Sequence, residues 1–175
     1  MAYADDAVRQ FMEAAQATEW GRNTIFILVA DHGTTNIPHI MYDMPLSYNY
    51  IPVFICSDLI TPQQISRPAS QIDIWPSVLS MLGIEYENNC LGIDIFSEER
   101  EYAFFCGDEH LGVSDGQWFW CYNLQSKLQH LYKVGDPADV AAMYPERADE
   151  MREYGMKMQR INLLAIEKKW TEPLK

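Results

Sequence analysis

Apolar positions recur at two spacings along this chain, and the switch between them outlines its elements. Residues 3–19, "YADDAVRQFMEAAQATE", place Ala7, Val8, Phe11, Met12 and Ala15 at helical spacing and predict one amphipathic helix. Trp20, Gly21, Arg22 and Asn23 are read as its stop. The next stretch, "TIFILVADHG" over 24–33, is apolar without alternation until Asp31 and His32. A strand that does not alternate is covered on both faces, as a parallel strand of an α/β sheet is. Helix, short turn and buried strand is the order in which α/β folds are built. Residues 33–50 are rich in turn formers and predict a long loop. Residues 51–57, "IPVFICS", predict a second short strand, with Pro52 at its beginning where a missing N–H is tolerated. Residues 70–82, "SQIDIWPSVLSML", predict a helix capped by Ser70 or Asp73, with Pro76 in its first turn. Trp75, Leu79 and Leu82 share one of its faces, and Gly83 is a natural stop.

Beyond about residue 98 the pattern changes. The aromatic-rich runs 101–107, 116–123 and 127–134 predict an antiparallel sheet, with Ser114, Asp115 and Gly116 as one of its turns. A short helical turn and a long helix from about Pro145 follow. Met151, Tyr154, Met158, Ile161 and Ala165 form the buried stripe of that helix. The expected organisation is an α/β portion over 1–97 and a smaller α+β subdomain over 98–175.

Composition narrows the function. Hydrophobic residues make up 48% of the chain and charged residues 22%, as in ordinary globular proteins. The formal net charge of -12 argues against nucleic acid, which needs a basic face to displace counterions. It also leaves no polybasic patch for anionic lipid. No apolar run approaches the ~18 residues that suggest a membrane span, and the acidic start has no signal-peptide core. Cys56, Cys90, Cys106 and Cys121 are widely spaced and form no CxxC pair, so they read as buried free thiols rather than a disulfide framework.

The candidate chemistry lies at the end of the apolar run. Ligands of open α/β sheets bind beyond the carboxyl ends of the strands, which is where Asp31 and His32 fall. A carboxylate oxygen beside an imidazole nitrogen suits Mn, Zn or a similar divalent ion. Neighbours on an extended strand point opposite ways, so both ligate one ion only if the chain bends, and Gly33 makes a bend easy. Read from the dipeptide alone, a turn-capping Asp31 and a hydrogen-bonded loop His32 are the competing roles. No HxH or HExxH spacing supplies further ligands.

"NTIFILVADHG", "YNYIPVFICSD", "QIDIWPSVLSMLGI" and "GIDIF" occur in that order. The succession resembles the C-terminal part of the sulfatase-like branch of the alkaline phosphatase superfamily, with the lipoteichoic acid synthase and phosphoglycerol transferase type looking nearest. "SDGQWFWCYN" and "LYKVGDPADVAAMYPERADEM" resemble that family's C-terminal subdomain, so the resemblance spans nearly all of the chain. It implies the C-terminal part of an α/β/α sandwich followed by a small antiparallel sheet with a packed C-terminal helix. It implies cleavage of sulfate or phosphate esters through a covalent Thr, Ser or formylglycine intermediate, by in-line attack at a metal site. Asp31 and His32 match the family's "DHG" metal ligands; the ion is expected to be Mn, alternatively Zn, Mg or Ca, in the full-length parent, with weak or absent binding by these two ligands alone. The family's nucleophile, its first acidic ligand and its upstream substrate-binding histidine have no match here, and no Cys-x-Pro-x-Arg signature occurs. The chain is therefore expected to be a C-terminal fragment, inactive alone, whose partner is the missing N-terminal half of the same enzyme. The substrate expected is a phosphate or sulfate ester, with a lipid headgroup or a glycan as its candidate carriers. By resemblance the parent is membrane-anchored and extracytoplasmic. An exposed sheet edge predicts self-association.

Other residues carry weaker expectations. His39, in the loop after the motif, and His110, in the polar cluster Asp108, Glu109 and His110, are candidate substrate-binding groups; exposed loop and turn positions are the alternatives. His130 alternates with apolar residues and reads as a solvent-facing strand residue. Asp73 reads as a cap or structural hydrogen-bonding group. Trp118, Phe119, Trp120 and Tyr122 suit either a sugar or headgroup platform or core packing against the last helix, and alternation lets at most half line one surface. A non-catalytic binding module on the same fold, with Asp31 and His32 structural, is the alternative function, and a degenerate family member that has lost activity is a third.

Overall fold

A computed structural model describes residues 2–34, 46–107 and 109–170. They fall into two compact units. The first holds the described residues up to Thr34 together with Ser47–Ile65, and the second holds Leu46 and the residues from Ser66 onward.

In the first unit, helix α1 (Ala2–Gln16) ends earlier than its pattern predicts, and a separate short helix α2 (Glu19–Arg22) follows. The break is made by Thr18, which is extended at φ -99°, ψ 159°. Its hydroxyl donates to the Ala15 carbonyl at 2.6 Å and accepts from the Gly21 N–H at 3.0 Å, ending one helix and capping the next. Strands β1 (Phe26–Val29) and β2 (Val53–Cys56) lie where expected. They pair antiparallel, with Phe26 opposite Cys56 and Val29 opposite Val53. The parallel direction expected from uniform apolarity is not what pairs these two strands, because apolarity on both faces says what covers a strand and not which way its neighbour runs. Phe26 meets Phe11 edge-on at 5.8 Å and Trp20 at 6.2 Å. A four-residue helix α3 (Leu46–Asn49) closes the segment before β2.

The second unit begins with a 3-10 turn, Gln71–Asp73, leading into helix α4 (Ile74–Met81). Asp73 makes no side-chain cap bond to α4; its carboxylate reaches back to the Ser70 N–H at 2.7 Å and closes the capping box of the 3-10 turn, the structural hydrogen-bonding role expected of it. The same carboxylate accepts from the Ile93 N–H at 2.9 Å and pairs with Arg100. Both partners of this ion pair are buried, Asp73 at 1% and Arg100 at 7% side-chain exposure. Asp94 joins the same loop to α4, accepting from the hydroxyls of Ser80 at 2.7 Å and Ser97 at 2.6 Å. The face of α4 that is buried carries Pro76 and Ser77, whereas Trp75 and Leu82 of the apolar stripe stay exposed.

Four strands then form an antiparallel meander in chain order: β3 (Ala103–Gly107), β4 (His110–Ser114), β5 (Trp118–Asn123) and β6 (Gln129–Lys133). β4 was not predicted, since the acids at its start hide a short alternation of Leu111 and Val113 with Gly112 and Ser114. Helix α5 (Pro145–Glu167) covers one face of the sheet. Leu111, Val113, Trp120, Leu131, Ala148 and Met151 make the core between them. Gly155 allows the close approach: a Cβ there would stand 2.9 Å from both Trp120 and Val113. Of the predicted stripe, Met151 and Ala165 are buried and Ile161 is exposed, with Ala148 and Gly155 completing the contact line. The opposite sheet face carries Phe119, Cys121 and Tyr132, packed with Phe105 and Leu46. The strand aromatics are therefore core, as one of the two expectations had it. Tyr102 fastens the helix, donating to Glu150 at 2.7 Å and accepting from Arg147 at 2.8 Å. Burial, with that bond to Glu150, pushes its phenol pKa up. None of the four cysteines is in a disulfide, but only Cys121 is buried; Cys90 and Cys106 are exposed, contrary to expectation.

Candidate functional site

The polypeptide leaves β1 at Ala30 and bends at Asp31. The bend cancels the opposed directions that neighbouring strand residues would take. Asp31 Oδ2 and His32 Nε2 come to 3.8 Å, with 89% and 51% of their side chains exposed. The other carboxylate oxygen, Oδ1, accepts from the His32 N–H at 2.8 Å. Two donors bound to one ion at about 2.0–2.2 Å each are separated by less than about 4.4 Å, so the observed spacing lies within reach of a shared ion.

The ring orientation has a local cause. His32 Nδ1 is 2.8 Å from the Gly33 carbonyl oxygen. A carbonyl only accepts, so Nδ1 carries the proton and the neutral ring presents the Nε2 lone pair. Such a second contact is how ligating histidines are held in one tautomer. The ring also stacks on Tyr48 of α3, centroids 4.6 Å apart and planes at 15°. Gly33 donates its N–H to the Tyr48 carbonyl at 2.7 Å. A Cβ at position 33 would sit 2.0 Å from the Ser47 carbonyl oxygen. The glycine therefore serves close approach of the motif to α3, rather than only the bend expected of it.

These donors fit a divalent ion as two ligands of a larger set. Among the described residues no group of three or more His, Cys, Asp or Glu side chains is placed to hold one. The remaining candidates are placed elsewhere or not described. His39 lies outside the described residues, as does Asp108. His110 opens β4 in the second unit, its Nε2 3.0 Å from Asn123 Nδ2. The amide donates, so this ring is engaged within the sheet. Glu109 beside it accepts from Gln125. His130 is not solvent-facing as expected: it lies on the sheet face of Cys121 and Tyr132, with Nδ1 2.9 Å from Asp139. Alternation assigned it to the outer face because the sheet is covered on both. Tyr48 was missed altogether, since a four-residue helix is too short to leave a periodic signal.

Comparison with known proteins gives a consistent picture. The Sulfatase family matches residues 1–84. Arylsulfatase K of Xenopus laevis is 28% identical over 98 residues, covering 54% of this chain and 18% of its own length. Among solved structures, a protein of the alkaline phosphatase superfamily from Vibrio parahaemolyticus superposes with a TM-score of 0.66 at 22% identity, over 98% of this chain and 42% of that one. A 2-O GAG sulfatase superposes with a TM-score of 0.74 at 17% identity, over 98% and 43%. The chain thus shares the fold of these sulfatase-like structures and spans less than half the length of these relatives. Nothing among the matches singles out the lipoteichoic acid synthase branch.

Proposed function

From a sulfatase-like fold with an exposed Asp–His pair at a strand end, we propose that this chain supplies Asp31 and His32 to the metal site of an enzyme that cleaves phosphate or sulfate esters. The observation that carries the reading is the 3.8 Å approach of Asp31 Oδ2 to a His32 Nε2 freed by the Gly33 carbonyl. An ion held there would neutralise charge on the ester oxygens and favour the deprotonated nucleophile. Asp31 supplies negative charge to offset the cation, and His32 a neutral donor of fixed direction. The nucleophile, a Thr, Ser or formylglycine, and the remaining ligands are assigned to polypeptide beyond these residues, in keeping with relatives more than twice as long. That polypeptide is also the partner proposed for the exposed apolar side chains of β2 and α4, notably Phe54 and Trp75.

Transfer of a phosphoglycerol unit to an alcohol, rather than to water, is the finer reading and rests on the motif resemblance alone. So does an extracytoplasmic, membrane-anchored parent; no helix of the described residues is long and apolar enough to cross a membrane.

The test is a Mn2+ titration of the chain followed by NMR. Paramagnetic broadening is expected first at His32 and Gly33, and Asp31→Asn should remove it. The unaided chain should show no turnover of p-nitrophenyl phosphate or sulfate at any Mn2+ concentration. Broadening that begins elsewhere, or that survives Asp31→Asn, would assign the pair a structural role.

A further inference from the structure

We propose that Tyr48 is a positioning residue for His32, and that α3 and the Asp31–Gly33 turn form one cradle that keeps the imidazole Nε2 facing outward. This rests on the reading of Asp31 and His32 as metal ligands, but its geometry stands without an ion.

Three independent contacts join the turn to α3. The rings of His32 and Tyr48 stack at 4.6 Å and 15°. The Gly33 N–H donates to the Tyr48 carbonyl at 2.7 Å. The Cα of Gly33 lies so near Ser47 that a Cβ would stand 2.0 Å from its carbonyl oxygen. The fourth contact fixes the ring in its own plane: Nδ1 meets the Gly33 carbonyl at 2.8 Å. The last contact sets the tautomer, and the stack opposes rotation about χ2. Either one alone leaves a freedom that would point Nε2 away from Asp31. A half-exposed histidine at a strand end otherwise samples several rotamers, and freezing them on binding weakens affinity.

Tyr48 itself is 41% exposed. One face of its ring is occupied by His32, and the residue lies outside the fully buried core. Its exposure separates a positioning role from a role in the core, where the same substitution would unfold the unit. The phenol oxygen is not required by the stack, so Phe should serve in its place and Leu should not.

The experiment uses the 175-residue chain without metal, at about pH 8, above the ordinary imidazole pKa of about 6.5. Long-range 1H–15N correlation reads the tautomer of His32, and ring-proton shifts read the stack. In the parent chain and in Tyr48→Phe, His32 should be the Nδ1-protonated tautomer with ring protons shielded by the neighbouring aromatic face. Tyr48→Leu should lose the shielding and mix the tautomers, while its circular dichroism is unchanged. Mn2+ affinity at His32 should then fall by about 10-fold or more, the range seen when groups supporting a ligand are removed. Unshielded His32 protons in the parent chain, or shifts and tautomer unaltered by Tyr48→Leu, overturn the proposal. Shielding that responds as expected, in a chain where Mn2+ broadens other residues before His32, supports the cradle and defeats the metal reading instead.

Discussion

Alanine at position 33 puts a carbon 2.0 Å from the Ser47 carbonyl oxygen, about 1.4 Å inside ordinary contact, and 3.3 Å from that of Tyr50. Both neighbours are backbone, so no side-chain rotation relieves the overlap. The turn and α3 must separate, and two contacts go with the separation. The Gly33 N–H to Tyr48 O bond at 2.7 Å is worth about 0.5–1.5 kcal/mol net. The His32–Tyr48 stack is worth about 0.5–1.5 kcal/mol beyond its burial. The expected cost of Gly33→Ala is therefore about 1–3 kcal/mol, and it is local. Native-state hydrogen exchange at the amide of residue 33 is the direct assay, because that N–H is one of the groups released. Its protection should fall by roughly 5- to 150-fold, at about 1.4 kcal/mol per factor of ten. Ser47→Ala, which leaves the backbone in place, should not change it. Equal protection of residue 33 in Gly33→Ala and the parent chain, with unshifted His32 ring protons, would show that the motif does not lean on α3 and would refute the reasoning.

Two further predictions concern the second unit. Arg100→Met strands the Asp73 carboxylate, 1% exposed, with only backbone donors; breaking one side of a buried pair costs about 3–5 kcal/mol. Urea unfolding followed by tryptophan fluorescence reads it, since Trp75, Trp118, Trp120 and Trp170 all lie in that unit, and a loss under about 1 kcal/mol would mean the pair contributes little. Burial pushes the Asp94 carboxyl up, but the Ser97 and Ser80 hydroxyls, the Phe96 N–H and the charge of Arg67 outweigh it and hold the group below its ordinary 3.8. A depressed native pKa gives stability that is complete above 3.8 and is lost as pH falls through the native value, so the chain should weaken on acidification below about pH 4 and Asp94→Asn should weaken less steeply, a parallel pH profile being the contrary result.

Much of the architecture was legible because burial leaves a period in the sequence. The β1 run, the Val53–Cys56 strand, the aromatic strands and the helix from Pro145 all lie where spacing put them. What spacing does not encode was misread. Strand direction depends on the neighbour, and β1 pairs antiparallel with β2 although its composition suits a parallel sheet. The stop after α1 is a side-chain event, the two bonds of Thr18, and helical periodicity runs on past it. β4 begins in acids and has glycine at its centre, so its two large apolar residues were too few to register. At the site, the sequence singled out Asp31 and His32 as a pair because an apolar run ended in two ligating groups. It gave no hint of Tyr48, which reaches His32 from 16 positions away through a helix of one turn.

The distribution of exposed apolar surface bears on the proposal that further polypeptide completes the site. The four-stranded sheet is covered on both faces: Val113, Phe119, Trp120 and Leu131 are each 0% exposed. Other apolar side chains in each unit are not covered. Phe54 in β2 is 60% exposed, Val29 at the end of β1 43%, and Trp75 and Leu82 on α4 65% and 56%. Single exposed hydrophobics are ordinary, but Val29 belongs to the run whose pattern predicted cover on both faces, and Trp75 and Leu82 to the shared apolar face of the predicted helix. A pattern written for two covered faces and met with one is the mark of a surface that packs against further polypeptide. Asp31 and His32 follow directly on that strand run. On the proposed reading, polypeptide that covered β1 and β2 would also reach the end of β1, and the residues completing the packing would be the ones placed to complete the ligand set. Substituting Phe54 with Lys should then weaken both association with that polypeptide and Mn2+ binding in the complex, leaving Mn2+ binding by the unaided chain unchanged. Loss of association with undiminished metal affinity in the complex would separate the two and end the link.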